Sequence, residues 1–349
     1  MKKSLILLTI ICSMLCLSCI EQIELPYRNE EPVLVVDGEI TDEEPPYNLR
    51  LSYSGKFVSG SIITSRLAVN GARVVLSDDR GNTIRFRQNI FEPALYQTDS
   101  KYRCEIGRSY ALRIEMPDGK TYITKPQLMK EVSPITNIYA NKIKNFVRVF
   151  VDTKDPANTT DYYRWKSYSI SLKLTNGPAN FNEGGNANGT CGSSCWAYNR
   201  EDAANIFSDK YINGNEIKNR LVLFSPISVE APLSRHYAEV KQTSISQEAY
   251  LFWQQYEEQK TRTGSIFDPL PATIIGNIVN EKDSKDFALG FFCVSAVSIK
   301  RLTIEPANIP FSTEASIELR PPIIVTAKLS GNCETTYPSY GCTPPTDWK

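Results

Sequence analysis

Tyr110-Ala111-Leu112-Arg113-Ile114-Glu115 and Lys120-Thr121-Tyr122-Ile123-Thr124 are separated by a short connection that contains Asp118-Gly119. Apolar and polar side chains alternate in both runs, which is the period of a strand with one face buried, and Asp-Gly supplies the positive φ that a tight hairpin turn needs. The same grammar recurs upstream. Val33-Leu34-Val35-Val36 reads as a strand that ends at the turn pair Asp37-Gly38, and Tyr47 to Tyr53 alternates again. Val69 to Leu76 is followed by the turn Asp78-Asp79-Arg80-Gly81-Asn82 and by a further run, Thr83 to Arg87. Short alternating runs at this spacing predict a mainly β chain that opens with an immunoglobulin-like β-sandwich over residues 33–128.

Pro126 to Pro134 marks the expected boundary, beyond which residues 129–330 read as a second β-rich domain with one clear α-helix. Asn145 to Asp152 and Tyr162 to Leu174 alternate. Phe146, Arg148 and Phe150 fall on one face of the first run and Val147, Val149 and Val151 on the other, so burial on both faces is expected. For the helix, Ser246 is the expected N-cap, and Ala249, Phe252, Trp253 and Tyr256 recur at helical spacing through Gln259. Its end is expected before Gly264, a natural C-cap. Phe287 to Ile304 reads as one or two long buried strands. Gly177 to Cys195 is rich in Asn and Gly, as a loop is, and residues 331–349 form a turn-rich, cysteine-containing tail.

The beginning of the chain has a different character. Lys2 and Lys3 precede an apolar run from Ser4 to Leu17, which closes on Cys16-Leu17-Ser18-Cys19. This is the layout of a secretory signal peptide over residues 1–18, and a cysteine at the first mature position is what lipidation requires: Cys19 takes the acyl anchor through its thiol. The alternative is an ordinary cleaved signal that leaves the cysteine unmodified. The apolar run is too short to span a bilayer comfortably, so the chain is expected to be attached to the membrane through a lipid. Residues 19–32 then form an acidic tether carrying Glu21, Glu24, Glu30 and Glu31.

Composition narrows the chemistry. The chain carries 39 basic and 39 acidic residues, and residues 1–18 contain two of the bases and no acid, leaving 37 against 39. That is not the basic excess of a nucleic-acid binder. Of nine cysteines, three belong to the signal and anchor. The other six suggest disulfides in an exported chain, with fifteen possible connectivities. Cys191, Cys195, Cys333 and Cys342 are the disulfide candidates, either locally or by joining the loop to the tail. Cys104 and Cys293 lie in strand-like runs and read as buried free thiols. A four-cysteine zinc site is the rival, but its ligands prefer Cys-x-x-Cys spacing. The one histidine, His236, sits in a strand-like run. The chain has no nucleophile elbow, zinc helix, phosphate loop or dinucleotide fingerprint. No catalytic residue, metal or cofactor is therefore expected. Trp196, Tyr198, Tyr337, Tyr340 and Trp348 lie in loops beside cysteines, where exposed aromatics suit ligand stacking or partner docking, or else cover the sulfurs.

In order along the chain, these pieces resemble a Bacteroidota lipoprotein family known as domain of unknown function 4249. The resemblance is carried by Val33 to Asp42, Val69-Asn70-Gly71-Ala72-Arg73-Val74, Asp118-Gly119-Lys120-Thr121-Tyr122 and Tyr162-Tyr163-Arg164-Trp165. Most specific are Thr263-Gly264-Ser265-Ile266-Phe267-Asp268-Pro269-Leu270-Pro271, leading into Gly276-Asn277-Ile278, and then Leu289-Gly290-Phe291-Phe292. The resemblance implies a lipid-anchored outer-membrane protein, facing the cell surface, often encoded beside a TonB-dependent receptor. It implies no known activity and no catalytic residues. The expectation drawn from it is a non-catalytic accessory or ligand-binding partner of such a transporter in nutrient uptake, its ligand unknown. A surface hydrolase of glycans or peptides, or a structural or adhesive surface protein, are the alternatives.

Overall fold

The computed structural model describes residues 32–55, 67–99, 101–174, 194–201, 203–227, 236–261, 273–305, 308 and 310. The first strands are β1 (Leu34–Thr41), β2 (Asn48–Tyr53), β3 (Arg73–Asp78), β4 (Thr83–Gln88), β5 (Leu95–Gln97), β6 (Ser109–Glu115), β7 (Thr121–Thr124) and β8 (Gln127–Leu128). Alternation in β6 does what its sequence predicts: Tyr110, Leu112 and Ile114 are buried while their neighbours are half-exposed. The β6–β7 hairpin closes through Met116 N to Lys120 O at 2.8 Å, with Gly119 at φ +87°. In the β3–β4 hairpin, Asp78 Oδ1 accepts from the backbone N–H groups of Arg80 and Asn82, each at 2.9 Å, the local side-chain bonding that makes Asp a turn former.

β1 does not end at Asp37-Gly38. It continues to Thr41, and the glycine is there for space: a β-carbon on Gly38 would stand 2.3 Å from Leu49 Cδ1. What reads as a turn signal is a close approach between two paired strands.

The second set comprises β9 (Ile135–Ile143), β10 (Phe146–Lys154), β11 (Tyr162–Leu174), β12 (Ser194–Arg200), β13 (Asn205–Ser208), β14 (Glu216–Pro226) and β15 (His236–Ser244). Helix α1 (Gln247–Lys260), β16 (Ile278–Asn280), β17 (Leu289–Ser295) and β18 (Val297–Ile304) follow. β14, β10 and β9 form one sheet, and β12, β11, β15 and β18 form another, with β13 also on β11. Val147, Val149 and Val151 of the first sheet share a core with Trp165, Ala238 and Val240 of the second, so the two sheets pack face to face. The valine face of β10 enters this core, while on the other face only Phe146 is buried, stacked on Phe224 with ring centroids 4.5 Å apart. The other face carries Phe150 stacked on Tyr139 with ring centroids 5.6 Å apart, and Arg148 lies 5.4 Å from the Phe150 ring.

The remaining sheet has ten strands in the order β16-β7-β6-β3-β4-β5-β2-β1-β17, with β8 on β6. β4 pairs with β3 through Thr83 to Phe86 and with β5 through Arg87 and Gln88, as a strand does when it turns a corner between packed layers. Ile278 of β16 and Phe292 of β17, at the two ends of this path, enter one core with Val36, Leu49, Leu76 and Leu112. The sheet therefore curls over on itself. Among the described residues the architecture is mainly β with one α-helix.

The expected division at residue 128 is not a clean cut. β16 and β17 lie in the stretch assigned to the second domain, yet they complete the first sheet, β16 against β7 and β17 parallel to β1. β17 is buried on both faces: Phe292 and Val294 join the first core, while Phe291 and Cys293 pack with Ile245, Ala249 and Phe252 around the helix. A two-sided apolar strand is what parallel pairing under a covering helix demands. Only Ala296 separates it from β18, which belongs to the other sandwich. Ser246 caps α1, accepting from Ala249 N at 3.1 Å. Thr261, not Gly264, is the C-cap, its N–H bonding Glu257 O at 3.0 Å, and Gly264 lies outside the described residues. Tyr256, expected on the buried face, is exposed. Among the described residues no helix is long and apolar enough to cross a membrane.

Candidate functional site

The interleaved chain leaves a cleft of about 960 Å³ where the β7–β8 edge, the segment around β16 and the first turns of α1 meet. Its wall is made by a backbone clasp. Gly276 lies so close to β17 that a β-carbon there would be 1.7 Å from Gly290 O. Beside it, Asn277 reads the β17 backbone twice, donating from Nδ2 to Phe292 O at 2.8 Å and accepting from Phe292 N at 3.0 Å. The side chains of Phe252 and Phe291, centroids 5.1 Å apart, form the apolar floor. Leu128, Leu251 and Ile275 stand around it at 56%, 45% and 57% exposure. Large aliphatic side chains held open to solvent around one concavity mark a binding surface more than a packing remnant. Polar groups enter from the sides: Lys125, Gln127, Lys130, Glu248 and Gln255. Among the described residues no histidine or cysteine lines the cleft, and its lining can hold an apolar group and orient it through amide and charged neighbours.

A second, charged groove of about 420 Å³ lies between the sheets and α1, lined by Glu39, Glu43, Arg164, Lys166 and Lys241 among others. Glu39 of β1 pairs with Lys166 of β11, and Glu43 with Lys241 of β15 at 2.6 Å. The Arg164 guanidinium lies 3.6 Å from the centre of the Trp253 ring, a cation–π contact. Burial disfavours the Glu39 carboxylate, but the Lys166 charge and hydrogen bond, with Arg164 and Lys241 behind them, hold it below its ordinary range. Cys293 faces this groove, its thiol pushed up to about 12 chiefly by burial, which keeps it protonated and a poor nucleophile.

The residues singled out from the sequence are dispersed. Trp196 and Tyr198 lie on β12, opposite Leu172 and Ile170 of β11. Trp196 is half-buried, Tyr198 is exposed, and neither lines the cleft. Cys195 falls on β12 opposite Lys173. Cys19, Cys191, Cys333, Cys342, Tyr337, Tyr340 and Trp348 lie outside the described residues. Cys104 and Cys293 are buried free thiols, as expected. His236 is fully buried at the start of β15. The acidic turn at Asp78-Asp79 is neutralised by Arg108, whose Nη2 lies 2.8 Å from Asp78 Oδ2 and whose Nε lies 2.5 Å from Asp79 Oδ1. The cleft is hidden from sequence reasoning because its walls come from segments more than a hundred residues apart. Gly276-Asn277 and Leu289 to Phe292 stand out along the chain only as motif pieces.

These features define a mainly β protein of two intertwined β bodies with a cleft at their junction. Residues 20–301 match the family described as Domain of unknown function (DUF4249), and the chain belongs to that family. A search of the curated proteins finds no match. Among solved structures, the chain is similar to a DUF4785 family protein from Legionella pneumophila at 10% identity and a TM-score of 0.20, covering 60% of this chain and 52% of that one. The chain thus spans about half of that structure, and a likeness of that size supports no inference about function.

Proposed function

We propose that this protein is a lipid-anchored, non-catalytic outer-membrane lipoprotein that serves as the accessory or ligand-binding partner of a TonB-dependent transporter. The signal-like leader ending at Cys19 and the Bacteroidota family resemblance support the location. One structural observation carries the binding role: the cleft of about 960 Å³ with Phe252 and Phe291 at its floor and Leu128, Leu251 and Ile275 exposed around it. Burying those aliphatic side chains against an apolar segment of a partner or ligand contributes about 1.5–3 kcal/mol for each one fully covered.

Crosslinking in native outer membranes, followed by affinity purification, tests the reading. The wild-type protein should bring down a β-barrel transporter. The double variant Leu251→Asp, Ile275→Asp should lose it while melting within a few degrees of wild type, since both positions are solvent-exposed. Recovery of no β-barrel partner, or full recovery with the variant, would refute the proposal.

A further inference from the structure

Asp155, Asp161 and Asp209 each offer a carboxylate oxygen, and these oxygens all lie within 4.8 Å of one another. All three residues are buried, at 1%, 5% and 1% exposure. They come from separate parts of the second sandwich, and strand pairing brings them together. Asp155 and Asp161 begin and end the β10–β11 connection, and Asp209 follows β13. Pairing of Tyr162 with Ser208 sets Asp161 beside Asp209, whose N–H donates to Asp161 O at 3.1 Å. The β13–β14 connection is tied on by Gly214 N to Asp155 Oδ2 at 2.9 Å and by Asp155 N to Asn215 O at 3.0 Å.

The donors present do not satisfy this charge. Tyr163 Oη donates to Asp155 Oδ1 at 2.7 Å, and Thr159 Oγ1 to Asp161 Oδ2 at 2.5 Å. Lys130 reaches Asp161 Oδ1 and is the cluster's one ion-pair partner among the described residues. Among the described residues, the Asp209 carboxylate receives only Asn213 Nδ2, at 3.4 Å on Oδ2. Its Oδ1 is buried with no hydrogen-bond partner. A buried carboxylate with an orphaned oxygen, turned toward two others, is costly unless a cation occupies the space between them.

We infer that Asp155, Asp161 and Asp209 form a calcium-binding site. Oxygens coordinated at about 2.4 Å lie no more than about 4.8 Å apart, so three oxygens within 4.8 Å of one another can share one calcium ion. Three carboxylates and Lys130 leave two negative charges, which one divalent ion balances. Each oxygen that already accepts one hydrogen bond keeps a lone pair for the metal. Oxygen donors without thiolate or imidazole favour a hard cation, and irregular connections that supply carboxylates directly favour calcium over magnesium, which holds its water shell. The expectation of no metal, drawn from the sequence, is thereby revised: the three positions span more than fifty residues and share no loop spacing.

The purified protein, stripped with EDTA and returned to metal-free buffer, should gain about 5 °C in Tm when calcium is added well above its Kd. Magnesium should give a much smaller shift. Terbium bound in place of calcium should emit on excitation of Tyr163, whose hydroxyl contacts Asp155. Asp209→Asn relieves repulsion, so the metal-free variant should melt at or above the metal-free wild type while losing both the calcium shift and the terbium signal. No calcium shift in wild type, an equal shift with magnesium, or an unchanged response in Asp209→Asn would each overturn the assignment. So would a wild-type cluster neutralised by a proton, seen as cation-independent stability at every calcium concentration.

Discussion

Gly290 of β17 lies directly opposite Val36 of β1, so close that a β-carbon on it would stand 2.1 Å from Val36 O, and its φ is +88°. This contact joins the first sheet to a strand more than 250 residues away in sequence. Gly290→Ala should therefore destabilise by about 2–4 kcal/mol, combining a left-handed backbone cost of about 1 kcal/mol with the strain of an overpacked contact. Gly119 is the control. It has φ +87°, but a β-carbon there would meet nothing within 4 Å, so Gly119→Ala should lose only about 1 kcal/mol. Urea unfolding of both variants would check the difference, and equal losses would mean that the close approach is unimportant.

The strands are legible in the sequence because one-sided burial writes itself as alternation, as in Tyr110, Leu112 and Ile114. Asp37-Gly38 misleads because the same dipeptide serves a turn and a close approach to Leu49, and only the partner strand tells them apart. The return of β16 and β17 to the first sheet leaves no local trace: β17 is apolar on both faces, which signals burial but names no neighbour. The cleft and the aspartate cluster are illegible for the same reason, since tertiary pairing, not spacing, assembles them. Trp196 and Tyr198 draw attention as loop aromatics, but the edge strand β12 carries them away from the cleft.

Acid should act through Asp78. Burial opposes its charge, but hydrogen bonds from the Asn82 side chain and backbone and from Arg80 N, with the Arg108 charge, pull its carboxyl down to about 2. A folded value below the unfolded one, about 3.9, means that the stabilisation is complete above about pH 4 and is lost as pH falls through the folded value. Asp78→Asn should lower Tm at pH 7 and flatten its decline between about pH 4 and pH 2. An equally steep acid decline in the variant would assign acid lability to other carboxylates.

Breaking the Glu39–Lys166 pair should cost more than neutralising it. The Glu39 side chain is 20% exposed and that of Lys166 is 37% exposed, so the pair lies between a surface bridge and a buried one. Lys166→Met should destabilise by about 1–2 kcal/mol, because Glu39 is left charged in the groove. Adding Glu39→Gln should recover most of that loss. A double-mutant cycle in thermal melts measures the coupling, and additive losses would show that the two side chains do not depend on each other.

Cys104 and Cys293 offer a reporter of opening. Both are free and buried, and burial above all pushes each thiol up to about 12. At pH 8 neither is a thiolate in the folded protein, and neither is reachable by a bulky reagent, whereas an exposed cysteine near 8.5 reacts readily. They sit in different cores: Cys104, on the β5–β6 connection and not in a strand, packs in the core of the first sheet, and Cys293 lies beneath α1. Alkylation followed by peptide mapping should find both unmodified under native conditions. In dilute urea, Cys293 should become reactive before Cys104, because its cover is one helix while Cys104 is enclosed by the curled sheet. Simultaneous modification would mean that helix and sheet open together as one cooperative unit.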